Sequence, residues 1–299
     1  MADGQKKAKV ISFINFKGGV GKTSNTVNIA GELARNGNRV LVIDMDPQAN
    51  SSVWLMGRSM FTELYQRGDD SQQQTVQHLF LARGDRNKFH IGRAIIKNVC
   101  SRGKIVLRNL DLLPADYNMI DLEQHFADDL ATLRLRYVLH KEKIINNYNY
   151  VLIDCAPSFS KLTRSALLAS DFYIIPAIPD FLSRFGINIL TIKVNETVAE
   201  FNTNLKLLGI TFNLGNSVAT LNQEAIDSIT SNLDELKING MVDNDARIFK
   251  PWIPHLIGIT KASDLNFPLV VTNLNKEKGL YADLTKDILS HKNLHRDTK

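Results

Sequence analysis

Two lysines and a threonine stand among three glycines near the start of the chain, in the segment Lys-Gly-Gly-Val-Gly-Lys-Thr at residues 17–23. Closely spaced glycines let backbone N–H groups turn inward around phosphate oxygens. Lys22 stands where a cation would bridge the β- and γ-phosphates of ATP, and the Thr23 hydroxyl stands where it would bind Mg²⁺. The strict phosphate-loop pattern G-x-x-x-x-G-K-[ST] fails at one position, because Phe16 replaces its first glycine. The segment still predicts a site for ATP and Mg²⁺.

The residues expected to contact the nucleotide belong to this loop and to the start of the helix after it. They are Gly18, Gly19, Val20, Gly21, Lys22, Thr23 and Ser24. Lys17 adds a second positive charge inside the loop, which indicates further phosphate charge to neutralise. A solvated loop lysine would explain Lys17 equally well, so the residue alone does not decide between these roles.

Three aspartates end apolar segments that read as buried strands. Asp44 and Asp46 follow one such segment, and Asp154 ends another. In an open parallel sheet, ligands bind beyond the carboxyl ends of the strands. A carboxylate there can hold Mg²⁺ through water or orient an attacking water, although a single strand-terminal aspartate is also a common turn former. The metal candidates are therefore Thr23, Asp46 and Asp154.

Strands and helices must alternate to position these side chains. Apolar runs predict strands at residues 10–15, 39–44, 110–114, 150–154, 172–176 and 206–212, with weaker ones at 249–254 and 269–271. Helical patterns follow the loop, cover residues 120–147 and close the chain at 279–290. Continuous apolar strands between helices predict an α/β fold: a mostly parallel twisted sheet with helices on both faces.

Length and composition fit one soluble domain. The chain has 299 residues, 44% of them hydrophobic and 22% charged, and no linker divides it. We expect a single domain over 1–299 with a short, frayed polar tail at about 291–299. The sequence contains neither a signal peptide nor an apolar run of the roughly 20 residues that span a bilayer. Cys100 and Cys155 lie too far apart to form a CxxC metal motif, which favours a reducing cytoplasm.

Three motifs together resemble the ParA/MinD class of deviant Walker ATPases. They are KGGVGKT at 17–23, DMDPQAN at 44–50 and VLIDCAP at 151–157, with weaker echoes at 110–116 and 169–180. A lysine directly before GGxGK is the hallmark of that class. The chain begins almost at its first strand, so the resemblance is to ParA-type partition ATPases without an N-terminal helix-turn-helix domain.

The resemblance implies a role for each motif residue. Lys17 would reach the ATP of a partner subunit in a face-to-face homodimer, and would act with Lys22 and Asp46 in catalysis. Asp46 would position the hydrolytic water, and Asp154 would act on Mg²⁺ through water. Asn213 and Pro254 fall roughly where such proteins contact adenine.

The function implied by the resemblance is a slow, Mg²⁺-dependent ATPase switch. ATP would promote a dimer that binds nonspecific DNA, segregates plasmid or chromosomal DNA at the nucleoid, and is released when a centromere-binding, ParB-type partner stimulates hydrolysis. Alternatives are a MinD-like membrane-associated positioning ATPase and a ParA-like positioner of a protein cargo. A ligase similar to dethiobiotin synthetase and a scaffold that only holds ATP match the motifs less well.

The charge pattern bears on which surface the dimer would bind. The segment from Arg247 to the end of the sequence contains nine Lys or Arg residues and five Asp or Glu residues. The difference of +4 accounts for most of the chain's formal charge of +5. Arg247, Lys250 and Lys261 are the candidates for DNA-phosphate contact, and the basic residues at 134–143 are a second group. The closing helix carries Asp283 and Asp287 and few cations, which favours core packing and disfavours a membrane anchor.

Overall fold

A parallel sheet forms the centre of the computed structural model. The structure describes residues 7–66, 74–81, 89–100, 107–122, 129–213, 223–254, 257–272 and 275–295. The strands are β1 (Lys9–Phe13), β2 (Val40–Met45), β3 (Leu110–Leu113), β4 (Tyr150–Cys155), β5 (Phe172–Ala177), β6 (Lys206–Asn213) and β7 (Arg247–Ile253). Within the described residues they form one seven-stranded sheet in the order β3-β2-β4-β1-β5-β6-β7. Every neighbouring pair is parallel, as the continuous apolar runs predict.

Helices connect and cover these strands. They are α1 (Lys22–Arg35), α2 (Asn50–Met56), α3 (Arg58–Gln66), α4 (Val76–Leu81), α5 (Ile91–Ala94), α6 (Arg134–Lys141), α7 (Lys161–Ala169), α8 (Phe181–Phe201), α9 (Gln223–Ile238), α10 (Ile257–Leu265), α11 (Asn275–Leu289) and α12 (Lys292–His295). Short 3-10 helices occupy Tyr117–Asp121, Asp129–Leu133, Ile144–Asn146 and Leu269–Val271.

The order of the strands places a crevice at the carboxyl edge of the sheet. The chain passes from β1 through α1 to β2 in one direction, and from β4 through α7 to β5 in the other. Because parallel crossovers are right-handed, the two helices pack on opposite faces of the sheet. β1 and β4 are neighbours, so the loops that leave their carboxyl ends diverge around one crevice. The predicted phosphate loop and Asp154 both lie there.

The observed elements confirm most predicted ones and correct three of them. Residues 269–271 form a 3-10 helix rather than a weak strand. The predicted helical region at 120–147 is divided: Arg134–Lys141 is an α-helix, and 3-10 turns lie on both sides of it. The C-terminal tail is not frayed up to residue 295, because α12 forms and buries Asn293 and Leu294. Residues 296–299 lie outside the described part of the chain.

The closing helix packs on the core, as its charge pattern predicts. Leu284 and Ile288 of α11 are buried in the main hydrophobic cluster, and the buried Tyr281 hydroxyl donates a hydrogen bond to Asn25 Oδ1 of α1 at 3.2 Å. Across the described residues, no helix combines the length and the apolar character that crossing a membrane requires.

Candidate nucleotide-binding site

The predicted phosphate loop joins β1 to α1 and has the backbone of an anion cradle. Gly19 and Gly21 adopt positive φ angles of 73° and 89°, which L side chains rarely tolerate. No described atom lies within 4 Å of the positions that a Cβ on Gly18 or Gly19 would occupy. Helix α1 begins at Lys22 with no side-chain cap and no acidic residue in its first turn. Its free N–H groups and positive dipole end are therefore available to phosphate oxygens.

Phe16, at the position of the first glycine, anchors the loop by its packing. Its ring meets that of Phe159 edge to face, with centroids 5.7 Å apart, and packs against the hydrophobic core. Phe159 lies in the segment that follows β4, so the contact joins the two loops that border the crevice. The departure from the strict pattern thus strengthens the packing beneath the loop and leaves its three glycines in place.

Lys22 points back into the loop. Its Nζ donates to the Lys17 carbonyl at 3.2 Å, and the residue is buried. Burial lowers the pKa of Lys22, and the nearby carboxylates of Asp154 and Asp46 raise it in partial compensation. A phosphate brought into the loop would supply further negative charge beside this ammonium group.

Asp154 accepts two hydroxyl hydrogen bonds on one oxygen and none on the other. Thr23 Oγ1 and Ser51 Oγ donate to Oδ2 at 2.7 and 2.6 Å. Oδ1 is buried and has no hydrogen-bond partner among the described residues. Burial raises the pKa of Asp154 to about 6, although the bonds from Ser51 and Thr23 lower it. An orphaned carboxylate oxygen beside the Thr23 hydroxyl is chemically suited to a hydrated Mg²⁺ ion.

The described residues form no group of three or more His, Cys, Asp or Glu side chains that could hold a metal by themselves. Mg²⁺ usually keeps several waters and binds through one or two protein oxygens together with substrate phosphates. Thr23 and Asp154 match that limited protein contribution. The arrangement therefore fits Mg²⁺ delivered with a nucleotide better than a resident metal ion.

Asp44 organises the segment that carries Asp46. Asp44 and Asp154 are direct partners on neighbouring strands, and both are fully buried. Asp44 Oδ2 accepts bonds from Ser52 N and Ser52 Oγ at 2.8 and 2.7 Å, and its Oδ1 accepts from Asp46 N at 3.1 Å. Burial and the charge of Asp154 raise the pKa of Asp44, which the bonds from Ser52 only partly oppose. Asp44 thus positions Asp46 instead of facing the crevice.

Asp46 lies beside the phosphate loop and also forms a turn. Its Oδ1 accepts from Gln48 N at 2.9 Å, which is the turn-forming role that any strand-terminal aspartate can have. Only one oxygen is used in this way, and the Asp46 carboxylate is near enough to Lys22 to raise the pKa of that lysine. The predicted role of Asp46 in orienting water is untested, and the turn and the catalytic role are compatible.

Lys17 forms an ion pair within its own chain. Its ammonium group contacts the Asp180 carboxylate, and both side chains are partly exposed. Asp180 also caps α8 by accepting from Ser183 N at 2.9 Å. Partial burial would raise the pKa of Asp180, but the bonds from Lys17 and Ser183 outweigh it and lower that pKa. The phosphate loop is therefore joined to the first turn of α8.

The two adenine candidates have different surroundings. Asn213, at the end of β6, donates from Nδ2 to the Val20 carbonyl at 2.6 Å, and its amide nitrogen would lie 2.6 Å from a Cβ on Gly21. Asn213 thus supports the phosphate loop and explains why residue 21 has no side chain. Pro254 is half-buried immediately after β7, at the same edge of the sheet. Adenine contact by either residue stays a prediction.

The three candidates for DNA contact lie on different elements, two on β7 and one on α10. Arg247 begins β7, at the opposite edge of the sheet, where it donates to the Asp287 carbonyl and Ser290 Oγ at 2.7 and 2.6 Å. Lys250 lies within β7, with Nζ 5.9 Å from the centre of the Trp252 ring, and Lys261 is exposed on α10. Arg247 therefore ties β7 to α11, while DNA contact by all three residues stays a prediction.

Sequence reasoning did not assign Ser51, Ser52 or Asp180 to the site. Ser51 and Ser52 follow the second carboxylate motif in the chain, and their hydroxyls bond Asp154 and Asp44. The only available signal was their proximity to Asp46 in sequence. Asp180 lies 163 residues from Lys17, so only the fold brings that pair together.

Comparisons with known proteins give the same picture. Residues 8–207, or 200 of the 299, match a family model described as an AAA domain. The chain is 26% identical over 285 residues to the sporulation initiation inhibitor protein Soj of Bacillus subtilis, covering 95% of this chain and 99% of Soj. It is also 26% identical over 285 residues to the chromosome partitioning protein ParA of Caulobacter vibrioides, covering 94% of each.

A solved structure shares the fold over nearly the whole chain. A variant of Cyanothece McdA in complex with ATP superimposes with a TM-score of 0.71, covering 95% of this chain and 97% of McdA, at 18% identity. At that level of identity the similarity concerns the fold.

Proposed function

This chain belongs to the AAA-domain family and is a ParA-type positioning ATPase, and from that premise we propose that it hydrolyses ATP with Mg²⁺ as a nucleotide-dependent DNA-binding switch. The observation that carries the proposal is the arrangement around Asp154. Thr23 and Ser51 occupy one carboxylate oxygen, and the other is buried without a partner among the described residues. Thr23 belongs to the first turn of α1, a helix whose N-terminus has no side-chain cap. A buried carboxylate oxygen without a hydrogen-bond partner calls for an explanation, and a hydrated Mg²⁺ ion bound with the nucleotide would provide one.

The loop and the carboxylates would divide the work of hydrolysis between them. The backbone N–H groups at Gly18 to Ser24 and the Lys22 ammonium group would hold the phosphates, while Thr23 and Asp154 would hold Mg²⁺. The bound ion would neutralise charge that develops on the phosphate oxygens. Asp46 would orient a water for attack on the γ-phosphorus, which breaks the bond to the β–γ bridging oxygen and yields ADP and phosphate.

Lys17 would complete the site of a second copy in the ATP state. In this structure it is paired with Asp180, so it must leave that partner before it can reach another subunit. A γ-phosphate bound by both subunits would stabilise the dimer more than the monomer, and such differential affinity is what drives a switch. The homodimer would bind DNA nonspecifically at the nucleoid, in the cytoplasm, and a centromere-binding, ParB-type protein would stimulate hydrolysis and release.

The test measures binding of the purified protein to nonspecific duplex DNA and, separately, to anionic liposomes, with ADP and with ATP. ATP-dependent DNA binding that weakens steeply with salt supports the proposal. The Lys22→Ala variant, which should not bind nucleotide, is the control and should bind DNA equally weakly in both nucleotides. Liposome binding without DNA binding would overturn the DNA-partition proposal and favour a membrane-positioning ATPase.

A further inference from the structure

An apolar stripe lies on the outer face of α8. Its side chains, which we call the α8 stripe, are all large, apolar and between 46% and 75% exposed. The members of the α8 stripe are Phe181, Leu182, Phe185, Ile189 and Ile192. A helix advances about 100° per residue, so these positions fall within an arc of about 100° along roughly 16 Å of helix. They form one continuous surface.

The same helix already packs on the sheet through a different face. Ile187, Leu190 and Val194 are buried in the hydrophobic core, so α8 is apolar on both sides and the described part of the chain covers only one of them. Large contiguous apolar surfaces on soluble domains usually mark interaction sites, because exposure of such side chains to water is unfavourable. Packing among the described residues of the monomer therefore does not account for the α8 stripe.

The α8 stripe begins at the nucleotide site. Phe181 follows directly after Asp180, whose carboxylate pairs with Lys17 of the phosphate loop. The first turn of α8 therefore borders the face from which Lys17 would extend toward another subunit. Gly186, beside the stripe, has no described atom within 4 Å of its Cβ direction. A helical glycine costs about 1 kcal/mol relative to alanine, and here it leaves room for close approach of another surface.

The charges along the α8 stripe are already paired. Arg184 contacts Glu235 of α9 at 3.1 Å, and Lys193 contacts Glu196 at 2.7 Å. Binding to anionic lipid or to DNA requires an excess of available cations beside the contact surface. The paired charges beside the α8 stripe do not provide that excess. They do allow the surface to meet a copy of itself without like-charge repulsion, as an interface with two-fold symmetry requires.

We propose that the α8 stripe is the apolar contact through which a second, ATP-bound copy of this chain packs against the first. The inference rests on the proposed function, because only that function requires Lys17 to reach from one subunit to the other. The stripe is continuous with the surface that carries Lys17, so a second copy close enough to receive this lysine also covers the first turns of α8. Burial of the stripe then stabilises the dimer beside its shared phosphates.

The test compares three proteins by sedimentation velocity with a non-hydrolysable ATP analogue and Mg²⁺. They are the wild type, the double variant Phe185→Asp with Ile189→Asp, and the control Ile238→Asp, which alters an 84% exposed residue on α9. We expect the double variant to raise the Kd of the dimer at least ~100-fold, because it buries carboxylates in an apolar contact. The control should dimerise like the wild type. Affinity for a fluorescent ATP analogue at low protein concentration should stay within about twofold in all three.

The outcomes separate the inference from the proposed function. If the wild type dimerises and the double variant matches it, the α8 stripe is not the dimer contact and the inference is overturned. If the double variant dimerises but loses stimulation by another protein, the stripe belongs to that protein instead, which also overturns it. A wild type that stays monomeric with the ATP analogue would overturn the proposed dimerising switch and the inference together. A milder variant, Ile189→Ser, should weaken the dimer by a smaller factor.

Discussion

Two neighbouring regions of this molecule reverse the usual distribution of polar and apolar groups. At the carboxyl edge of β2 and β4, Asp44 and Asp154 are fully buried, and Oδ1 of Asp154 has no hydrogen-bond partner among the described residues. On the outer face of α8, a few residues beyond Asp180, five large apolar side chains face solvent. Each arrangement is unfavourable for an isolated monomer. The contrast teaches that two different ligands are expected, a cation with phosphates in one region and a protein surface in the other.

The Lys17–Asp180 ion pair lies between the two regions. Lys17 belongs to the phosphate loop, and Asp180 caps the helix that bears the α8 stripe. An exposed ion pair contributes little stability, about 0 to 1 kcal/mol. Lys17 can therefore exchange Asp180 for a stronger contact with phosphate at a small cost in free energy. The pair is therefore suited to link events in one region to events in the other.

The largest expected effect on ligand binding comes from removing the positive charge of Lys22. Lys22→Ala should weaken ATP binding at least ~100-fold, about 2.8 kcal/mol, because a charge-assisted contact to the phosphates disappears. Isothermal titration calorimetry with ATP and Mg²⁺ measures this directly. Lys141→Ala alters an exposed lysine on α6 whose Nζ lies 4.7 Å from the centre of the Tyr137 ring; it is the control and should bind normally. Undiminished binding by Lys22→Ala would remove Lys22 from the site.

The second prediction separates catalysis from folding in the same region. Asp46→Asn keeps an acceptor for Gln48 N but removes the carboxylate, so ATP binding and dimerisation should persist while turnover falls at least ~100-fold. Phosphate release under single-turnover conditions reports the loss, with the exposed Asp283→Asn as control. A variant that hydrolyses ATP at the normal rate would leave Asp46 with only its turn-forming role.

The third prediction compares the two faces of α8. Ile187→Ala should cost about 2 to 5 kcal/mol of unfolding free energy, since the side chain is 1% exposed in the core. Ile189→Ala, two residues away on the α8 stripe, should change that free energy by less than ~0.5 kcal/mol in the nucleotide-free monomer. Urea unfolding measures both. Equal losses would mean that the α8 stripe is already covered in the absence of ATP, so that the two faces of α8 do not differ in burial.

The smallest effect concerns a hydrogen bond to Asp154. Because burial raises the pKa of this carboxyl to about 6, its ionisation penalty is absent below pH 4 and fully present above pH 6. Ser51→Ala removes a donor that stabilises the ionised form. The variant should therefore lose about 1.5 kcal/mol of stability at pH 8 and less at pH 5. Urea unfolding at both pH values tests this, and an equal loss at the two would assign Ser51 a packing role only.

Much of the fold and site was predictable because the signals are local. Seven consecutive residues specify the phosphate loop, and apolar runs that end on aspartate specify β2 and β4 together with the side chains beyond them. The prediction failed at 269–271, where Leu-Val-Val has strand propensity but packs as a 3-10 turn after Pro268. The order of the strands was not predicted, because it depends on which apolar strands pair across long separations in sequence.

The sequence by itself determined a phosphate loop, a parallel sheet and three carboxylates at one edge, since each depends on residue type and short spacing. The tertiary structure alone decided the pairing of Lys17 with Asp180, the attachment of Arg247 to α11 and the outward face of α8. The physical reason is that these depend on partners distant in sequence. A helix as apolar as α8 does not reveal which of its faces the core will cover until the sheet has formed against it.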